Sequence, residues 1–269
     1  MIFTYFGAFS RGGLVASFQL LTIASFTLVV VAITACRNHS NKGATLTDGA
    51  NQVLLFNGTG VSPNDVAAIE TILDSNHINY STVNSSELNS MNPSQIMKYR
   101  LLVIPGGNFI EMGKSLTPGA ASNIRQAVQH GLNYLGICAG GFLACNSAYY
   151  NGFNLTSGLN FGFYSAENKG LRKAAVAITS PGAPTLDQYW EDGPQLSGWG
   201  VVVAKYPDGT AAIAEGKCGN GLVILTGIHA EAPADWRNGM IFHTPASADN
   251  AYAATLIRAA MNGVLLPHY

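Results

Sequence analysis

Between residues 51 and 137 the chain repeatedly turns apolar for a few residues, breaks, and resumes with apolar side chains at helical spacing. This alternation limits the possible folds more than any other feature. Strand-like segments occupy Val53–Phe56, 78–83, Leu101–Ile104 and 134–137, the first and third being wholly apolar. After the first, Asn57-Gly58-Thr59-Gly60 ends the strand, and Ser62-Pro63 opens a helix with Val66, Ile69, Ile72 and Leu73 on one face. After the third comes Pro105-Gly106-Gly107, then a helix expected over 119–131 with Ile124, Val128 and Leu132 aligned. Short strands separated by helices predict right-handed crossovers and a mainly parallel sheet flanked by helices, an α/β fold. Further runs at 201–204, 211–215 and 222–226 are joined by Pro207-Asp208-Gly209 and Gly219-Asn220-Gly221, which predicts an antiparallel C-terminal portion. The last helix is expected over 249–262, and the whole reads as one domain spanning 51–269.

With 48% hydrophobic and 11% charged residues in 269, the chain has ample material for a core and is too apolar for disorder. A formal net charge of −1 argues against neutralising phosphate backbones, so no nucleic-acid partner is expected. The charges are unevenly placed. Residues 1–35 carry one charged side chain, Arg11, and the stretch LVASFQLLTIASFTLVVVAITA from Leu14 is long enough to cross a bilayer as a helix. It ends in Ile33-Thr34-Ala35-Cys36, which resembles a bacterial lipoprotein signal. That resemblance implies a signal peptide over 1–35, lipid attachment to Cys36, a polar tether over 36–50, and anchoring at the bacterial cell envelope facing the periplasm or exterior. An uncleaved N-terminal helix is the alternative; both place the remainder outside the cytoplasm.

Chemistry-bearing residues gather at three strand ends. Gly136-Ile137-Cys138-Ala139-Gly140-Gly141 reads as a strand entering a sharp turn and then a helix, with the cysteine exposed at the sheet's carboxyl edge. The partial positive charge of a helix start favours thiolate there. A small buried cysteine beside a packing turn fits the same residues. Gly106 and Gly107, followed by Asn108, present backbone N–H groups that could join that of Ala139 in an oxyanion hole, or merely end a strand. In His229-Ala230-Glu231, extended backbone puts the two polar side chains on one side, so Glu231 can orient one imidazole nitrogen while the other serves a nucleophile.

In this order (glycine pair, G-x-C-x-G, then H-x-E) these residues resemble the class I glutamine amidotransferase-like superfamily, whose sheet is flavodoxin-like. The Cys-Ala-Gly-Gly elbow and Tyr189-Trp190-Glu191-Asp192-Gly193-Pro194 are most similar to the biotin–protein ligase N-terminal domain family, in its stand-alone bacterial form. The resemblance implies Cys138 as nucleophile, His229 as base and Glu231 as its orienting partner. Phe142 stands where glutamine-hydrolysing members carry Gln, which argues against glutamine as substrate. No Gly-Arg-rich adenylate loop occurs, so ligation of biotin is not expected. Two functions remain open: a thiol hydrolase of the amidase or peptidase kind acting on a small amide or peptide, and a binding module that keeps the fold without turnover. Phe142, Tyr189 and Trp190 are candidate pocket walls, alongside Asn108. No cofactor is expected, and no Cys or His spacing suggests a metal. Cys145 and Cys218 are either a disulfide or two inert thiols.

Overall fold

In the computed structural model, which describes residues 52–164 and 172–269, strands β1 (Val53–Phe56), β2 (Tyr80–Val83), β3 (Leu101–Ile104) and β4 (Asn133–Ile137) make up the N-terminal half of the sheet. Then follow β5 (Asn160–Phe163), β6 (Lys173–Ile178), β7 (Leu186–Glu191), β8 (Pro194–Ser197), β9 (Val201–Lys205), β10 (Ala211–Cys218) and β11 (Gly221–Thr226). The main sheet runs β2-β1-β3-β4-β11-β10-β8-β5, with β9 also on β10, while β6 and β7 pair separately. From β2 to β11 every pairing is parallel; from β11 onward it is antiparallel. This is the expected α/β architecture with its antiparallel C-terminal portion.

The parallel strands are apolar throughout because both faces are covered. Leu55, Val103 and Leu135 face a core shared with α1 (Pro63–Ser75) and α7 (Ala246–Asn262), through Ile69, Leu73, Ala253 and Ile257. Leu54, Phe56 and Leu102 face the other side. There Leu88 of α2 (Ser85–Ser90), Ile96 of α3 (Pro93–Ile96), Met112 of α4 (Phe109–Ser115) and Ile124 of α5 (Pro118–Gln129) close the layer. Each such fully buried aliphatic side chain contributes about 1.5–3 kcal/mol relative to exposure.

Several boundaries differ from the sequence reading by one to three residues, and two have a clear local cause. β2 starts at Tyr80 rather than 78 because the Ile78 N–H bonds back to Leu73 O (2.9 Å), closing α1 instead of joining the sheet. α7 starts at Ala246, where Pro245 occupies the cap position. The hairpin β6–β7 and strands β5 and β8 were not expected from the sequence. Cys138, Cys145 and Cys218 are free thiols. Burial pushes Cys145 up to about 11, so it is inert near neutrality. Among the described residues no helix is long and apolar enough to cross a membrane. The signal peptide, Cys36 and the tether lie outside the described residues.

Candidate active site

The strand order reverses direction between β1 and β3, and a crevice opens there at the carboxyl ends of the parallel strands, the usual ligand position in such sheets. Four connections converge on it: those after β1, β3, β4 and β11. They line a cleft of about 440 Å3 with Ser62 and Asp65, Gly107 to Phe109, Cys138, Ala139 and Phe142, and His229; Phe163, Arg172, Glu191 and Asp192 complete its wall.

Cys138 sits between β4 and α6 (Ala139–Leu143) at φ 49°, ψ −101°, a conformation an L side chain rarely adopts. Such backbone costs on the order of 1–3 kcal/mol and persists only where its surroundings impose it. They do so here: a Cβ on Gly140 would lie 2.1 Å from the Ile104 carbonyl oxygen, so β3 and α6 touch through a glycine only. The Cys138 thiol donates to the Glu191 carbonyl at 3.5 Å. His229 lines the same cleft.

His229 is held from behind by two carboxylates. Nδ1 lies 2.8 Å from Glu231 Oε1 and 3.1 Å from Asp65 Oδ1, with all three residues buried. Its backbone N–H donates to Tyr189 O at 2.8 Å, pinning the loop to β7. The ring packs edge-on against Tyr189 (5.9 Å) and Trp236 (6.0 Å). With Nδ1 occupied, Nε2 is the nitrogen left for a proton from the cleft. Burial alone would lower the imidazole pKa, but the carboxylates of Glu231 and Asp65 are the charges that outweigh it, and His229 is raised well above its ordinary value. Burial works upward on Asp65 as well. The imidazolium, the Ser62 hydroxyl and the Gly106 backbone overcome it, so this carboxyl ends below its usual range. Glu231 ends raised, because burial and repulsion by Asp65 together exceed the pull of His229.

Asp65 is the principal residue that the sequence reading missed. It occupies the first turn of α1, where acids are commonplace beside an N-cap serine, so its sequence setting points to helix capping alone. Only the topology brings it to a histidine far along the chain. The nearest oxygen and nitrogen atoms of Asp65, His229 and Glu231 all fall within 4.8 Å. Glu231 hydrogen-bonds the ring nitrogen and Asp65 lies in ion-pair contact with it, so an ion could enter only by displacing the imidazole from both.

The other sequence-derived candidates divide. Gly107, Ala139, Asn108 and Phe142 border the cleft. Gly106 lies behind it, and a Cβ there would meet Asp65 Oδ1 at 2.2 Å and His229 Cε1 at 2.7 Å. Its role in this structure is to admit the carboxylate–imidazole contact, not to face a substrate. The Asn108 side-chain oxygen caps α4, accepting from the Ile110 and Glu111 N–H groups. Phe142 stacks on Phe109 at 4.5 Å and lies 5.2 Å from Phe163, forming an apolar wall. Tyr189 supports His229 and donates to Glu191 Oε2 at 2.6 Å, outside the cleft proper. Trp190 is not a pocket wall. It alternates to the opposite face of β7, where it is buried against Tyr164 and donates to Gly193 O.

Comparison with known proteins agrees with this architecture. Residues 51–172 match the family described as "Biotin-protein ligase, N terminal". No curated protein matches the chain by sequence. Among solved structures, an exo-beta-1,4-mannosidase from Opitutaceae bacterium strain TAV5 is similar over 77% of this chain and 36% of its own (15% identity, TM-score 0.52). A provisionally assigned GMP synthase component from Thermoplasma acidophilum is similar over 79% of this chain and 96% of its own (14% identity, TM-score 0.50). A cytoplasmic protein from Salmonella typhimurium LT2 is similar over 79% and 99% (12% identity, TM-score 0.51). At such identities the likeness is one of fold.

Proposed function

We propose, from the premise that this chain has a class I glutamine amidotransferase-like fold with a biotin–protein ligase N-terminal region over 51–172, that it is a thiol amidohydrolase of small amides with an apolar acyl group. The observation that carries this reading is an imidazole fixed by two buried carboxylates and edging the same cleft as a cysteine on a strained elbow.

In the proposed reaction the Cys138 sulfur attacks the amide carbonyl, forming a C–S bond as the carbonyl electron pair moves to oxygen. The thiol proton passes to His229 Nε2. The backbone N–H groups of Gly107 and Ala139 border the space where that oxyanion would sit. Collapse breaks the C–N bond, and His229 returns its proton to the departing amine. Water, deprotonated by His229, then cleaves the thioester to release the acid. The wall of Phe109, Phe142 and Phe163 favours an aromatic or bulky aliphatic acyl group over the polar carboxamide of glutamine.

A binding module without turnover is the second reading, favoured by the thiol's bond to the Glu191 carbonyl rather than to the imidazole. Assays of apolar acyl amides against glutamine, with wild type, Cys138→Ala and His229→Ala, decide between them. Hydrolysis of the apolar amides that falls about 10^4-fold in either variant is expected. If no amide is turned over and Cys138 is alkylated equally fast with and without His229, the protein is a binding module. For location, we propose a lipoprotein held at the bacterial envelope through Cys36, supported by the apolar stretch and small residues before that cysteine.

A further inference from the structure

A second groove, of about 260 Å3, lies between the β6–β7 hairpin and α7, away from the Cys138 cleft. Its walls are apolar, with Ile178 and Leu186 on one side and Ala251 on the other. Among its described lining residues none is charged. Gln188 of β7 contributes to this lining and is fully buried, yet neither its amide oxygen nor its amide nitrogen has a hydrogen-bond partner. A buried carboxamide left without partners is costly, and native interiors rarely tolerate one. The other polar groups nearby satisfy each other: the Ser180 hydroxyl lies 3.3 Å from the Tyr252 hydroxyl.

The missing partner must offer one donor and one acceptor side by side, since Gln188 presents one of each. It must also be uncharged, because nothing in the groove would compensate a desolvated charge. A carboxamide meets both conditions by forming two antiparallel N–H···O bonds with Gln188, and the apolar walls suit a hydrocarbon body. We propose that this groove binds a small neutral carboxamide with an aromatic or aliphatic body, paired through Gln188. Such a site discriminates an amide from the carboxylate that its hydrolysis would release. Its existence does not depend on turnover at Cys138.

Benzamide and benzoate are the probes, titrated calorimetrically into the full chain. To exclude occupancy of the main cleft, each titration is repeated with Gln188→Leu, which keeps the volume and removes both polar atoms, and with Ala251→Phe, which fills the groove from an exposed helix position. Benzamide is expected to bind wild type at least tenfold more tightly than benzoate does, and to lose at least tenfold in affinity in both variants. Equal benzamide affinity in wild type and Ala251→Phe would overturn the proposal even if Gln188→Leu failed to fold. So would benzoate binding as tightly as benzamide, or a crystal structure with ordered waters on both ends of Gln188 that benzamide does not displace.

Discussion

Asp65 changes how His229 is understood. With Glu231 as sole partner, the imidazole would resemble an ordinary His–carboxylate pair; with a second carboxylate on the same Nδ1, the protonated form is favoured further. Replacing Asp65 with Asn should lower the His229 titration midpoint, followed by NMR, because one of the charges that raise it is removed. The linked effect on stability has a definite sign. Because folding raises the His229 pKa, its contribution is complete below the ordinary imidazole range and disappears as pH rises through the raised folded value. Asp65 is lowered, so its contribution is present above the ordinary carboxylate range and is lost as pH falls through the depressed folded value. The difference in melting temperature between wild type and Asp65→Asn should therefore be largest near about pH 6 and shrink below about pH 4. Gly106→Ala should cost about 1–3 kcal/mol by forcing a methyl into the Asp65–His229 contact, and it should disturb the His229 titration as well. Denaturant melts and the same NMR titration check both. Cys138, His229 and Glu231 each stand in a short local motif, which is why the sequence alone singles them out as candidates. Asp65 has no motif of its own, and the steric reason for Gly106 involves two residues remote from it.

At the level of elements, legibility followed how local the stabilising forces are. β1, β3 and β4 carry dense apolar runs, and α1 and α5 have Ser-Pro and Thr-Pro starts, so a few neighbouring residues specify each. β5 and β8 are short and depend on pairing with each other and on aromatic packing from distant segments. Nothing within four residues announces them. The turn Ala234–Arg237 illustrates a tie that only three-dimensional contact reveals. Arg237 ion-pairs with Asp249 in the first turn of α7 and donates to the Thr244 carbonyl at 2.6 Å, joining that turn to the final helix. Both charged groups are shielded from water, and burial pushes Asp249 up to about 7 despite the guanidinium. Arg237→Ala should accordingly cost about 3–5 kcal/mol, since it leaves a buried carboxyl unpaired. Arg172, exposed where it pairs with Asp192 at the cleft rim, provides the contrast: its replacement by Ala should leave the melting temperature essentially unchanged.

Across the whole molecule, a parallel five-strand platform places four loop ends at one edge, and the end of the separate β6–β7 hairpin supplies the side wall through Glu191 and Asp192. Topology of this kind was expected from the alternation of strands and helices; the position of the β6–β7 hairpin beside the cleft was not, because its own pairing is local while what docks it there, such as the Tyr189–His229 bridge, is distant in sequence. The anchoring proposal is also tested at this scale. Cys36→Ser should shift the protein out of the membrane fraction of a bacterial host, and intact mass should show loss of the acyl groups. Retention in membranes without any lipid mass would instead favour the uncleaved helix.

The indole of Trp236, 6.0 Å from the imidazole of His229, gives the protein an optical reporter of its own. Because a protonated ring quenches indole emission more strongly than a neutral one, the fluorescence of this single tryptophan, isolated by replacing Trp190 and Trp199 with Phe, should brighten as His229 gives up its proton. The charge state of the site can then be followed by light in the unlabelled protein, on the timescale of ligand mixing.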